Sequence, residues 1–174
     1  MFRVHASDRA AALSEQLIRA HQTLRDRLAS LREEVAGGTA RPAMAGDLVS
    51  HCLSFCTAIQ THHTGEDSQL FPALRAAAPD LAPMIGKLME DHTLVAGILQ
   101  QVRALLAPDR PPAAPGALLR ELDGLTAILE SHFSFEERRI AASLDTLGPA
   151  AWTADVFAPR PHSGEMRASR RAIR

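Results

Sequence analysis

The chain has no tyrosine, one tryptophan and only two cysteines in 174 residues. Cys52 and Cys56 stand four apart in one helical stretch, a spacing of packed thiols rather than of a disulfide, and no CxxC is present to build a thiolate zinc knuckle. Long hydrophobic runs are also missing. No stretch approaches the roughly 18 apolar residues of a membrane span, and the opening MFRVHASDRAAALSEQ lacks the uninterrupted apolar core of a signal peptide. A cytoplasmic protein is the expectation. Charge of neither sign dominates, since 19 basic residues face 20 acidic ones for a net charge of −1. That balance gives no general attraction to nucleic acid or to an anionic membrane, and it argues against a phosphate-binding role. Strand-like alternation is absent throughout.

What is present is a 3.6-residue rhythm. A hydrophobic fraction of 46% and a charged fraction of 22% are ordinary for a globular domain. The rhythm predicts helices near 8–35, 44–76, 80–107 and 115–146. They are separated by AGGTARPAMAG at 36–46, by a joint carrying Pro72, Pro79 and Pro83 that should kink or end the second helix, and by APDRPPAAPG at 107–116. Short connections favour antiparallel neighbours, so the expected fold is all-α, an antiparallel up-down-up-down four-helix bundle over residues 1–147. Residues 148–174, with Trp152, Val156 and Phe157, leave the rhythm and are expected to form a C-terminal tail, partly disordered or docked on the bundle.

The apolar stripes are interrupted at matching points. The first runs Leu13, Leu17, His21, Leu24, Leu28, Leu31, and the second Leu48, Cys52, Phe55, Ile59, His62, Glu66, Leu70. The third runs Ile85, Leu88, His92, Val95, Leu99, Val102, and the fourth Leu122, Leu125, Leu129, His132, Glu136, Ile140. A step of four residues climbs about 6 Å and returns to nearly the same face, so His62 with Glu66, and His132 with Glu136, can address the same ions. A carboxylate among core hydrophobes needs a cationic partner. Lysine and arginine are scarce on these stripes, which leaves a metal.

The predicted metal ligands are therefore His21, His62, Glu66, His92, His132 and Glu136. Mixed imidazole and carboxylate donors suit iron, manganese or zinc rather than calcium, and two carboxylates able to bridge favour two ions. Neither Glu-x-x-His nor HExxH occurs, which excludes the other common helical di-iron signature and the zinc-protease motif. His63 should point about 100° away from His62, exposed or behind the ligands. His51 lies about 16 Å along the helix, too far to share the ions, and is expected in a capping or core role or a separate minor site. Asp91 or Glu90 could hold the second nitrogen of a ligand histidine, and Glu137 is expected as a solvated partner of Arg138 or a neighbouring arginine.

The stretches IRAHQTLRDRL, THHTGEDSQLFPAL, LMEDHTLV and LESHFSFEERRI resemble the hemerythrin-like, HHE cation-binding four-helix bundles, in the H-HxxxE-H-HxxxE arrangement, over about residues 21–137. The resemblance implies a non-haem di-iron centre, oxo- or hydroxo-bridged, that meets oxygen, peroxide or nitric oxide. It implies one iron at His21 and His62, the other at His92 and His132, with Glu66 and Glu136 bridging. The chain departs from the oxygen-carrying members at two points. Those place a second histidine one turn from the third-helix ligand, where this chain has Leu88 and Ala96, so the second iron should be short of a nitrogen. They also use a carboxylate five residues after the fourth-helix histidine, which is Glu137 here, whereas Glu136 repeats the spacing of Glu66.

An apolar wall of Phe55, Ile59, Leu88, Ile128, Leu129 and Phe135 would admit a small oxidant (O2, H2O2 or NO) and exclude bulky substrates. The missing nitrogen favours peroxide disproportionation over oxygen carriage. The alternative readings are an iron, oxygen or nitric oxide sensor without turnover, and a plain bundle whose site is vestigial.

Overall fold

A computed structural model describes residues 6–37, 45–107, 109, 115–144 and 146–147. Its helices are α1 (Ala6–Gly37), α2 (Ala45–Gly65), α3 (Phe71–Ala77), α4 (Ala82–Leu105) and α5 (Pro115–Leu144). A π-helical segment, Glu66–Leu70, runs from α2 into α3, and a 3-10 turn, Pro79–Leu81, precedes α4. Among the described residues there is no strand, and no helix is long and apolar enough to cross a membrane. The expected tail at 148–174 lies outside the described residues.

Side-chain pairings along the helices give their directions. Between α1 and α2, His21 meets His62, Arg27 meets Ser54 and Glu34 meets His51, so one helix climbs as the other falls. The same inversion links α1 to α5, where Arg25 reaches Glu130 and Arg32 reaches Asp123. It also links α2 to α4, where Arg103 reaches Gln60 and His92 reaches Asp67. With α1 antiparallel to both α2 and α5, and α4 antiparallel to α2, the α4–α5 pair must be antiparallel as well. The result is the expected up-down-up-down bundle.

The three prolines of the joint act differently. Pro72 does not end the helix, because it follows the π segment, whose wider turn, closed from Phe71 N–H to Glu66 O, leaves room for a ring that would otherwise press on the carbonyl four residues back. The break comes at Ala78, with φ −139° and ψ 81°, where the following Pro79 disfavours helical backbone. Pro83 sits in the first turn of α4, where its missing N–H costs nothing.

The interior is two hydrophobic clusters. One gathers Leu24, Leu28 and Leu31 of α1, Cys52, Phe55 and Ile59 of α2, Val95 and Leu99 of α4, and Leu122, Leu125 and Leu129 of α5. The other gathers Leu17, Leu70, Phe71, Leu74, Ile85, Leu88, Ile140 and Leu144. Between them every helix of the bundle contributes buried polar side chains: His21, His62, His63, Glu66, His92, His132 and Glu136.

Candidate metal centre

All six residues predicted from the interrupted stripes meet in this polar layer. His21 Nε2 lies 3.1 Å from His62 Nε2, and His92 Nε2 lies 3.1 Å from His132 Nε2. Glu66 spans the two pairs: Oε1 is 3.2 Å from His62 Nε2, and Oε2 is 3.4 Å from His92 Nε2. Glu136 spans them from the opposite helix, with Oε2 at 3.3 Å from His21 Nε2 and 3.7 Å from His132 Nε2. Both carboxylates are 0% exposed. The repeated four-residue spacing thus places one bridging-capable oxygen pair on each side of the layer.

The outer ring nitrogens are occupied by a belt of acids. His21 Nδ1 is 2.9 Å from Glu137, His92 Nδ1 is 2.8 Å from Asp67, and His132 Nδ1 is 3.4 Å from Asp91. Such partners fix each ring so that Nε2 points inward. Asp91 therefore plays the part expected of it or Glu90, although on the histidine of α5 rather than on its neighbour His92. Glu137 pairs with an arginine as expected, with Arg25 rather than Arg138, but it is half-buried rather than solvated because it also holds His21. Asp67 was not foreseen, because α-helical geometry turns it away from the site. The π segment advances each residue through a smaller angle and keeps Asp67 with Glu66 on the α4 side.

Burial and charge set the protonation pattern. Burial pushes the pKa of His62 and His132 down to about 4 and that of His63 well below the usual imidazole value, so all three are neutral donors of lone pairs. For His21, burial works downward but the carboxylates of Glu136, Glu137 and Glu66 outweigh it and raise the value to about 11. His92 is raised against its burial by Glu66 and Asp67. Burial pushes Glu136 up to about 7, with the charge of Glu66 adding to it. Glu66 moves well down despite its burial, held by His62, His21 and His92.

Whether the layer suits cations is answered by its surplus of lone pairs. Each 3.1 Å histidine pair has room for one shared proton. Yet neither oxygen of Glu66, neither oxygen of Glu136, nor Nε2 of His63 has a hydrogen-bond partner, and all five atoms are buried. An unsatisfied buried polar atom costs about 1–3 kcal/mol, and more if charged. Five of them in one layer fit a site built to hold cations. Two ligand sets with atoms within 4.8 Å of one another can be drawn, His21, His62 and Glu66, and His63, Glu66, His92 and His132. Glu66 belongs to both.

The surroundings differ from the predicted wall. Phe55, Ile59 and Leu129 are buried in one cluster and Leu88 in the other, while Ile128 and Phe135 are only partly buried. The rings that touch ligand histidines are Phe133, stacked on His21 at 4.0 Å and 13°, and Phe71, at 5.5 Å and 18° from His92. Phe133 adjoins His132 in sequence as His63 adjoins His62, and both neighbours are buried. A bundle helix faces two neighbours at once, so positions 100° apart can both be interior. His62 turns to α1 and His63 to α4, so of the two expected positions, exposed or behind the ligands, His63 takes the second. His51 is exposed and lies 3.2 Å from Glu34, so it has no core role. A cleft of ≈ 280 Å³ between α2 and α4 reaches the layer at His63 and His92, with Gln60, Thr64, Asp67, Ala96 and Arg103 along it.

The family model of the hemerythrin HHE cation binding domain matches residues 12–144. Comparison with curated proteins and with solved structures gives no match.

Proposed function

The chain belongs to the hemerythrin HHE cation-binding domain family, and from that premise we propose that it is a non-haem di-iron protein that reacts with a small oxidant, with peroxide disproportionation favoured over oxygen carriage. His21 and His62 would hold one ion, His92 and His132 the other, and Glu66 and Glu136 would bridge them. The observation that carries this reading is the layer of buried carboxylate oxygens without hydrogen-bond partners, flanked by paired imidazoles. Imidazole and carboxylate together suit iron, with manganese or zinc accepted by the same donors.

Bound iron would supply the one-electron steps by which one peroxide is oxidised to dioxygen while a second is reduced to two waters. The chain's own residues do the rest. The two hydrophobic clusters and the rings of Phe133 and Phe71 exclude bulk water from the layer. The acids Glu137, Asp67 and Asp91 orient the ligand rings. The cleft between α2 and α4, at ≈ 280 Å³, lies below the roughly 300–1,000 Å³ of pockets that take larger organic ligands. It suits O2, H2O2 or NO.

Iron-loaded protein is expected to evolve oxygen from hydrogen peroxide, and His62→Ala to lose iron and activity together. A fully loaded sample that leaves peroxide untouched would overturn the enzymatic reading. A sensing module without turnover is favoured by one observation, that the buried carboxylate oxygens lack hydrogen-bond partners, because ions that bind there would make stability depend on occupancy. Ligand-dependent stability with no oxygen evolution would select it.

A further inference from the structure

α4 contributes a single imidazole to the layer. One turn to either side of His92, Leu88 is buried in the hydrophobic cluster and Ala96 is exposed along the cleft, so neither can add a donor. Across the α2–α4 interface stands His63, which the six-ligand scheme leaves unused. Its ring is 5% exposed, stacked on His92 at 3.8 Å and 8°, and edge-on to His132 at 5.2 Å and 70°. Its Nε2 is buried without a hydrogen-bond partner. Among the described residues no carboxylate pairs with it, in contrast to His21, His92 and His132.

A histidine placed only for packing would turn such a nitrogen to water or to an acceptor, and phenylalanine would fill the same space without the desolvation cost. A ligand-capable atom of His63 also lies within 4.8 Å of those of Glu66, His92 and His132. We propose that His63 is a seventh ligand: with its ring turned out of the parallel stack on His92, so that the in-plane lone pairs of both rings converge on one ion, it supplies to the second ion the nitrogen that α4 does not provide. This rests on the two-ion reading above. The imbalance then reverses: His63, His92 and His132 give the second ion three nitrogens, and the ion at His21 and His62 becomes the one with fewer. The helix that lacks a donor is compensated by its neighbour, through two adjacent histidines that face different helices.

The test is anaerobic titration of metal-free protein with iron(II), followed by Mössbauer spectroscopy, on the wild type, His63→Phe and His63→Ala. His63→Phe keeps a ring against His92, and circular dichroism checks that each variant folds. The wild type is expected to bind two ions in distinguishable environments. His63→Phe should bind one ion as the wild type does and the other at least tenfold more weakly, with one of the two spectral components altered. In His63→Ala, added imidazole entering through the adjoining cleft should restore the weakened ion. If a folded His63→Phe binds both ions with wild-type affinity and an unchanged spectrum, His63 is not a ligand and the six-residue site stands. Failure of the wild type itself to bind two ions would instead overturn the underlying reading.

Discussion

Asp67 accepts a 2.8 Å hydrogen bond from His92 Nδ1, across the interface between the π segment and α4. The bond depends on a helix that is not α-helical where Asp67 sits. Asp67→Asn keeps the shape and removes the charge that orients and enriches the ring. Losses of this kind typically weaken metal binding 10–100-fold, and competition against a chromophoric chelator should show that range for this variant. Unchanged affinity would mean that the bond is incidental to the site.

Glu136 is buried, neither of its oxygens has a hydrogen-bond partner, and its carboxyl is pushed up to about 7. In metal-free protein its charge is a cost, and with metal it is a bridge. Glu136→Gln should therefore bind fewer than two ions, while its metal-free form melts at or above the temperature of the metal-free wild type. Thermal denaturation of both forms with and without chelator measures this, and a strongly destabilised metal-free variant would count against the assignment.

Leu125 and Leu74 are both 0% exposed, one in each hydrophobic cluster. Truncating either to alanine should cost about 2–5 kcal/mol, read from denaturant unfolding. Neither carries a donor atom for the ligand layer, so both folded variants should still load metal to the wild-type ratio. A collapse of stoichiometry at full helicity would show that the clusters position the ligands more tightly than packing alone requires.

Burial pushes the Cys52 thiol up to about 11 and raises that of Cys56. A free cysteine titrates near 8.5, so at pH 8 an unfolded chain presents a substantial share of reactive thiolate. Native protein should resist iodoacetamide at that pH and become reactive only on unfolding, and mass spectrometry follows the modification. Rapid labelling of both thiols in the native state would contradict their placement in the core.

The sequence carried the four-helix bundle and the six interruptions of its stripes because both follow from a 3.6-residue period that polar residues break at matching heights. His21, His62, Glu66, His92, His132 and Glu136 are brought within contact of one another for that reason. His63, Phe133 and Asp67 were out of reach of the same rule. The first two lie one residue off a stripe and are buried because their helices face two neighbours, which a one-face reading cannot express. Adjacent buried-capable residues, HH at 62–63 and HF at 132–133, were the available signal. Asp67 required knowledge of a π turn, and the nearest trace of it in the chain is Pro72, a proline that a regular helix would not have continued through.

The polar layer also divides the molecule. The two hydrophobic clusters are separate, and across the seam between them the helices are joined by backbone continuity, by histidine–histidine and histidine–acid contacts, and by buried carboxylates whose oxygens have no hydrogen-bond partner. Cooperative unfolding requires the two ends to sense one another. Without ions, the two ends should melt as separable units, and hydrogen exchange should resolve two protection levels along each long helix. Two cations shared by four helices would rivet the ends into one transition, so that occupancy sets the number of steps in which the bundle comes apart as well as its stability.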